Sequence, residues 1–198
     1  MMPIPLSYKY VPEYQSLTHL PFVFTNEPSI ELLNTFVEAL NQNGHLPYKV
    51  SLKQLLDTSY LQVAHTPEGE FVGGCSIKLR DGEIAEMGLM LVDKKYRQFG
   101  IAEYMTQLRI GHAKRLGIKM LYAKVRGNNI SSMNNLYKAG FQVMGNFLSE
   151  KDLYSTITWL YLPLKPMTNR ACRQVLQNKL LNLTSVIGFD GTENNFNQ

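Results

Sequence analysis

The chain is poor in the features that mark several large protein classes. Its 198 residues hold two cysteines, Cys75 and Cys172, far apart and without a CxxC pair. That argues against a disulfide framework and a thiolate zinc site. The four histidines, His19, His45, His65 and His112, show no ligand spacing, so no metal is expected. No segment approaches the roughly 20 apolar residues of a membrane span. The opening MMPIPLSYKYVPEY has no basic flank followed by an apolar block, which speaks against a secretory signal and for a cytoplasmic protein. Neither GxxxxGK[ST] nor GxGxxG occurs, which removes two common nucleotide loops. Internal repeats and low-complexity tracts are also missing.

What is present is enough apolar material for a core, and an uneven charge. Hydrophobic residues make up 44% and aromatics 11%. Net charge is +4, yet residues 94–138 carry ten Lys/Arg against one acid, Glu103. The remainder carries ten Lys/Arg against fifteen acids. A basic segment attracts phosphates and an acidic one attracts cations; two solvated faces are the plainer reading.

Periodicity predicts the elements. Residues 1–21 show no clear period. Residues 27–44 read as a helix with Ile30, Leu33, Phe36 or Val37, and Leu40 on one stripe; 51–59 read as a second, short helix with Ser51 as N-cap. YLQVAHT and EFVGGCSIKL read as strands joined at Pro67-Glu68-Gly69, with Gly73-Gly74 marking a bulge or a close backbone approach. IAEMGLMLV (84–92) reads as a buried strand. A helix follows Gly100, with Ile101, Met105, Leu108, His112 and Leu116 as its stripe and Gly117 as its stop. KMLYAKV is a strand, NNISSMNNLYKAG a short helix, and FQVMGNF and YSTITWLYLPL two closing antiparallel strands. A helix over 168–187 uses Cys172, Val175, Leu176, Leu180 and Leu183 and packs on the domain, before a disordered end. The order describes an α/β, layered α+β fold with a mixed sheet. It divides into an N-terminal extension (1–24), a domain (25–165), and a C-terminal helix and tail (166–198).

Between the strand ending at Val92 and the helix after Gly100 lies a basic corner, Tyr96-Arg97-Gln98-Phe99-Gly100-Ile101-Ala102. A strand entering a helix through a glycine turn aims backbone N–H groups and the positive helix end outward, which makes an anion site. Lys94, Lys95 and Arg97 add charge, so a phosphate or diphosphate is the expected ligand.

In AEMGLMLVDKKYRQFGIAEYM the strand, corner and helix occur in an order that resembles the GCN5-related N-acetyltransferase (GNAT) superfamily. NNISSMNNLYKAGF is similar to that superfamily's second cofactor segment, N-x-x-[AS] followed by K-x-G-F. The resemblance spans roughly residues 25–164. It implies a mixed, mostly antiparallel twisted sheet flanked by helices, and acetyl-CoA as cofactor. Arg97, Gly100 and Ala102 match the loop [QR]-x-x-G-x-[GA], whose amides from Gln98 through Phe99, Gly100 and Ile101 to Ala102 would cradle the diphosphate. Met90, Leu91 and Val92 match the splayed strand that binds pantetheine and the acyl carbonyl. Asn129 and Ser132 match the segment lining the other side of the cofactor.

Two departures stand out. Phe99 replaces a frequent basic residue. Leu136 occupies the position that often holds a general-acid tyrosine; Tyr137 is its neighbour, rotated by about 100° on a helix, and is as readily a packing residue as a catalytic one. The implied reaction is amine attack on a thioester in a ternary complex, with the Met90 N–H as oxyanion donor. Glu86 is the candidate base, an acid in an apolar strand whose burial is expected to raise its pKa. It stands fourteen residues before Gly100, the offset of the catalytic glutamate in the histone-acetyltransferase branch, which also lacks the tyrosine. The alternative for Glu86 is a paired structural acid. His112 reads as a core histidine, Cys75 as a small buried residue, and Trp159 and Tyr161 as core.

The acceptor is then an amine of a small molecule or peptide, and the acidic N-terminal half mildly favours a cationic one. A nucleic-acid-directed activity is the second reading, not favoured because the coenzyme already uses the basic segment. A non-catalytic acyl-CoA-binding module is the third. Monomer and homodimer are both open.

Overall fold

The computed structural model describes residues 20–43, 46, 48–80, 82–148 and 156–180. Its elements run β1 (Val23–Thr25), α1 (Ile30–Gln42), α2 (Leu52–Leu56), β2 (Tyr60–His65), β3 (Phe71–Leu79), β4 (Ile84–Val92), a 3₁₀ turn (Lys94–Tyr96), α3 (Ile101–Arg115), β5 (Met120–Arg126), α4 (Ile130–Lys138), β6 (Gln142–Leu148), β7 (Thr156–Pro163) and α5 (Asn169–Leu180). The strands form one sheet in the order β1-β2-β3-β4-β5-β7-β6. Among the described residues only β4 and β5 run parallel; the other neighbours are antiparallel. This is the mixed, mostly antiparallel sheet that the sequence implied.

Local chemistry sets most boundaries. The Ser29 hydroxyl accepts from the Leu32 amide and starts α1. Ser51 and Gln54 form a reciprocal capping box at α2. Gly117 and Gly140 take left-handed φ values of 74° and 90° after α3 and α4, the conformation that ends a helix at little cost for glycine. The last part of the expected C-terminal helix, including Leu183, the expected disordered end and most of the N-terminal extension lie outside the described residues, as do His19 and His45.

Apolar side chains pack on both faces of the sheet. One face carries α3 and α4 over Ile77, Ala85, Met87, Leu121 and Leu160, with Ile101 and Met105 over Val72 and Cys75. The other carries α1 and α2 over Leu61, Val63 and Leu91, and α5 over Ile84, Met120, Tyr122 and Trp159. The C-terminal helix thus packs within the chain, through Cys172 and Leu176. Trp159 and Tyr161 are core, as read.

Three expectations change. Ile30 is 49% exposed rather than part of the α1 stripe. On α3 the buried set also takes in Tyr104, Thr106, Arg109, Ile110 and Ala113, while Leu108 is half-buried. This helix is covered on its flanks as well as below, with Phe24 of β1 edge-on to Tyr104 at 4.6 Å, so one narrow stripe does not describe it. Gly73 and Gly74 do mark close approach, but to protein. A Cβ on Gly73 would stand 2.7 Å from the Leu91 carbonyl, and one on Gly74 2.6 Å from the Phe36 ring. The β2–β3 register also slips by one residue beside Gly73.

A second slip shapes β4. Cys75 pairs with Met90 and Ile77 with Met87, so two steps on β3 meet three on β4. The extra residue is a bulge around Gly88, and it reverses the alternation of side chains. Before it, Ala85 and Met87 face α3 and α4; after it, Met90 and Val92 do.

His112 stacks on Tyr60 at 4.2 Å. Burial, with help from Arg115, pushes its pKa down to about 4. The unfolded chain takes up a proton near 6.5 that the folded protein refuses, so stability is complete above that value and falls as the pH drops toward 4. Urea unfolding at pH 7 and pH 5 is expected to differ by about 2 kcal/mol from this group, a difference that His112→Phe removes.

Candidate active site

The corner after β4 is built by backbone conformation. Asp93 caps the 3₁₀ turn by accepting from the Lys95 amide at 2.9 Å. Gln98 and Gly100 then both adopt left-handed φ, 72° and 77°. Gly100 leads into α3 without any side-chain cap, and open space lies where its Cβ would stand. The first-turn amides of α3 therefore face outward beneath an unobstructed glycine, with the helix's positive end behind them. Gln98 in a left-handed conformation had no signal in the sequence.

The side chains of the corner differ from expectation. Lys95 is committed to Glu70, at 2.7 and 2.9 Å. Arg97 is held by its Nε donating to the Val92 carbonyl at 3.2 Å, which fixes the start of the loop to the end of β4. Phe99 is 54% exposed and meets Phe22 edge-on at 6.0 Å, while Phe22 also meets Tyr96 at 5.5 Å. Lys94 is exposed.

Beyond this corner the sheet opens. The parallel pairing of β4 with β5 covers only Ile84–Met120, Ala85–Leu121 and Glu86–Tyr122. From Met87 onward the edge of β4 has no β5 partner. The Asp93 amide donates to Val72 at 2.9 Å, so alternation turns Leu91 toward β3, and the N–H and C=O of Met90 and Val92 toward the gap. The bulge at Gly88 lies at the start of this open stretch.

Glu86 sits at the last paired position. Its Oε2 accepts from the Tyr122 hydroxyl at 2.9 Å and from Arg80 through Nε (2.9 Å) and Nη2. Its Oε1 pairs with Lys124 Nζ at 2.9 Å. Lys124 also lies over the Trp159 ring, and Tyr122 stacks on it at 5.6 Å. Burial pushes the Glu86 pKa up, but Lys124 and Arg80 outweigh it and the net direction is down. The expected rise is thus reversed. Tyr48, from the connection between α1 and α2, is 57% exposed, and its pKa is raised by partial desolvation of its hydroxyl and then by the Glu86 charge.

Asn129 and Ser132 meet at the start of α4, where the Asn129 side chain accepts from the Ser132 amide at 3.2 Å. Leu136 faces inward at 4% exposure, and Tyr137 is 44% exposed. Cys75 is fully buried, and its thiol is pushed up to about 11 by burial, which makes it inert. Sequence reasoning missed Arg80, Tyr122 and Lys124. Tyr122 and Lys124 alternate along β5, a period-two signal that placed them on one face. Among the described residues, no cluster of three His, Cys, Asp or Glu suits a metal, and no helix is long and apolar enough to cross a membrane.

Residues 28–141 match the model of the acetyltransferase (GNAT) family. The chain belongs to this family. Its fold is similar to an N-acetyltransferase from Staphylococcus aureus Mu50, at 19% identity and TM-score 0.63, covering 73% of this chain and 99% of that one. A GNAT family acetyltransferase from Elizabethkingia anophelis with acetyl-CoA bound matches at 19% identity and TM-score 0.59, covering 73% and 99%. Spermidine N-acetyltransferase from Vibrio cholerae, in complex with CoA and spermine, matches at 13% identity and TM-score 0.59, covering 72% and 95%. A search among curated proteins returned no significant match.

The geometry of this GNAT chain fits a coenzyme A thioester. Uncapped amides and the space before Gly100 suit a diphosphate. The unpaired β4 edge suits an amide-bearing arm.

Because two cations hold Glu86 ionised, its ion pairs stabilise the fold above pH about 4.5, and that contribution is lost as the pH falls through its lower folded value. A carbon-detected NMR titration is expected to place the Glu86 midpoint below the ordinary 4.5. Lys124→Met should move it upward.

Proposed function

We propose that this protein is an acetyl-CoA-dependent N-acetyltransferase that delivers the acetyl group to an amine of a small molecule or peptide. The reading is carried by one observation: the β4–β5 pairing stops after three residue pairs, and the open edge leads directly into an uncapped helix N-terminus. The cofactor would supply an activated acyl group, so no covalent enzyme intermediate is required.

The chain's residues take defined roles in this proposal. Arg97 and the amides from Gln98 to Ala102 hold the diphosphate. Met90 and Val92 align the acyl-bearing arm, and the Met90 N–H stabilises the charge that develops on the acyl oxygen. Asn129 and Ser132 shape the opposite wall. Glu86 receives the proton that the amine sheds. Its depressed pKa makes it a weak base, present in ionised form at all neutral pH values, so the rate follows the fraction of neutral amine. Tyr122, held protonated first by burial and then by Glu86, orients that carboxylate. Tyr137 is the weaker catalytic candidate, because Leu136 holds the inward position.

A nucleic-acid-directed activity has less support. Within the basic segment Lys95 is paired with Glu70, Lys119 with Glu83 and Lys124 with Glu86, and Arg109 is buried.

Calorimetry with acetyl-CoA, followed by a screen of amine acceptors, tests the reading. Binding in the micromolar range should be lost in the Arg97→Ala, Gly100→Glu double variant. In an active pairing, Glu86→Gln should lower kcat by about a hundredfold while the acetyl-CoA Kd stays within about threefold. The wild-type rate should show no ionisation between pH 5 and 7 other than the acceptor's own. Undiminished turnover in Glu86→Gln would remove Glu86 from the mechanism, and no acetyl-CoA binding by the intact protein would remove the function.

A further inference from the structure

Arg109 is the least expected side chain in the interior. It lies midway along α3 at 2% exposure, and among the described residues no carboxylate pairs with it. Its Nη1 donates to the carbonyls of Ser76 and Gly88, each at 3.4 Å. Its Nη2 donates to Thr106 Oγ1 at 3.2 Å and lies 3.0 Å from Met90 Sδ. The same Thr106 hydroxyl accepts from Asn135 of α4 at 2.8 Å. Two buried atoms at this spot have no partner, Arg109 Nε and Ser76 Oγ.

A buried cation without a counter-ion is costly, and an aliphatic residue would fill the space more favourably. The position of its partners gives the arginine a task. Ser76 and Gly88 both lie within the register slip between β3 and β4. Arg109 takes their carbonyls and so stands in for the missing rung of the ladder. Two residues beyond Gly88 is Met90, whose side chain touches the same guanidinium and whose amide faces the gap.

Resting on the acyltransferase reading, we propose that Arg109 is a positioning residue for the transfer: it fixes the β4 bulge so that the Met90 amide points at the acyl oxygen, and it places positive potential behind that amide. As the amine nitrogen bonds to the acyl carbon, the carbonyl π pair moves onto oxygen. The pair returns as the C–S bond breaks and sulfur leaves as thiolate, while the amine proton goes to Glu86. Arg109 gives and takes no proton; it favours the oxygen-centred charge at a distance, where the surrounding low dielectric strengthens its effect.

The test uses the full chain with [1-13C]acetyl-CoA and no acceptor, reading the carbonyl stretch of the bound thioester by isotope-edited infrared spectroscopy. Arg109→Met should keep the acetyl-CoA Kd within about threefold and move the band up toward that of the free thioester. Its kcat should fall roughly tenfold to a hundredfold with little change in KM for acetyl-CoA. Arg109→Lys should recover much of the band position and rate. A wild-type band in folded Arg109→Met, with undiminished kcat, would overturn the proposal. Should Arg109→Met not fold, Thr106→Val decides: a smaller shift in the same direction supports the role and an unmoved band ends it. Failure of the wild-type protein to bind acetyl-CoA removes the acyltransferase reading and this proposal together; binding with a carbonyl band indifferent to Arg109 removes this proposal alone.

Discussion

The site depends on a parallel strand pairing that ends early. β4 and β5 share three residue pairs and then separate. The separation leaves half of a central strand without β5 as a backbone partner in the middle of a seven-stranded sheet. Backbone groups at such a place are ordinarily paired, and in the proposed function they form the binding edge. The bulge at Gly88 follows immediately, turning the strand's side chains over so that Met90 and Val92 close against α3. The corner then receives Arg97 onto the Val92 carbonyl. Break, bulge and corner form one continuous device, each fixing the next.

Much of this was legible in the residues. The run 84–92 is a strand to the residue, because nine mostly apolar positions between a turn and a basic corner suit little else. Gly100 and its neighbours identified the corner, since a glycine between strand and helix has a specific backbone use. The three-residue β1 was not legible, being too short for any period. The bulge was also hidden, because a one-residue slip leaves no pattern on one strand alone. Arg109 was passed over because the stripe was drawn through Leu108. A charged residue four positions after Met105 and three before His112 lies on the same face, and that conflict was the available signal.

Glu86 shows how a correct expectation of burial can come with an incorrect electrostatic inference. Its burial was foreseeable from the apolar strand around it. Its partners were not, because Arg80 reaches it from the turn after β3 and Tyr122 and Lys124 from β5, with Tyr122 36 residues away. Desolvation favours a neutral carboxyl, but two cations within hydrogen-bond distance favour the charged one more strongly. The residue's burial sets the scale of the interaction, and the sign comes from what the fold brings beside it.

The family match ends at Phe141, yet Trp159, against which Tyr122 stacks and over which Lys124 lies, comes later in the chain, on β7. Cys172 and Leu176 of α5 close the cluster that contains that tryptophan. The chain therefore divides its inheritance. The part that resembles its relatives holds the strand break and the corner proposed to cradle the donor, whereas the wall behind the carboxylate is furnished by a stretch outside the match. Under the proposed function, change in that stretch would alter what the protein acts upon while leaving what it spends untouched.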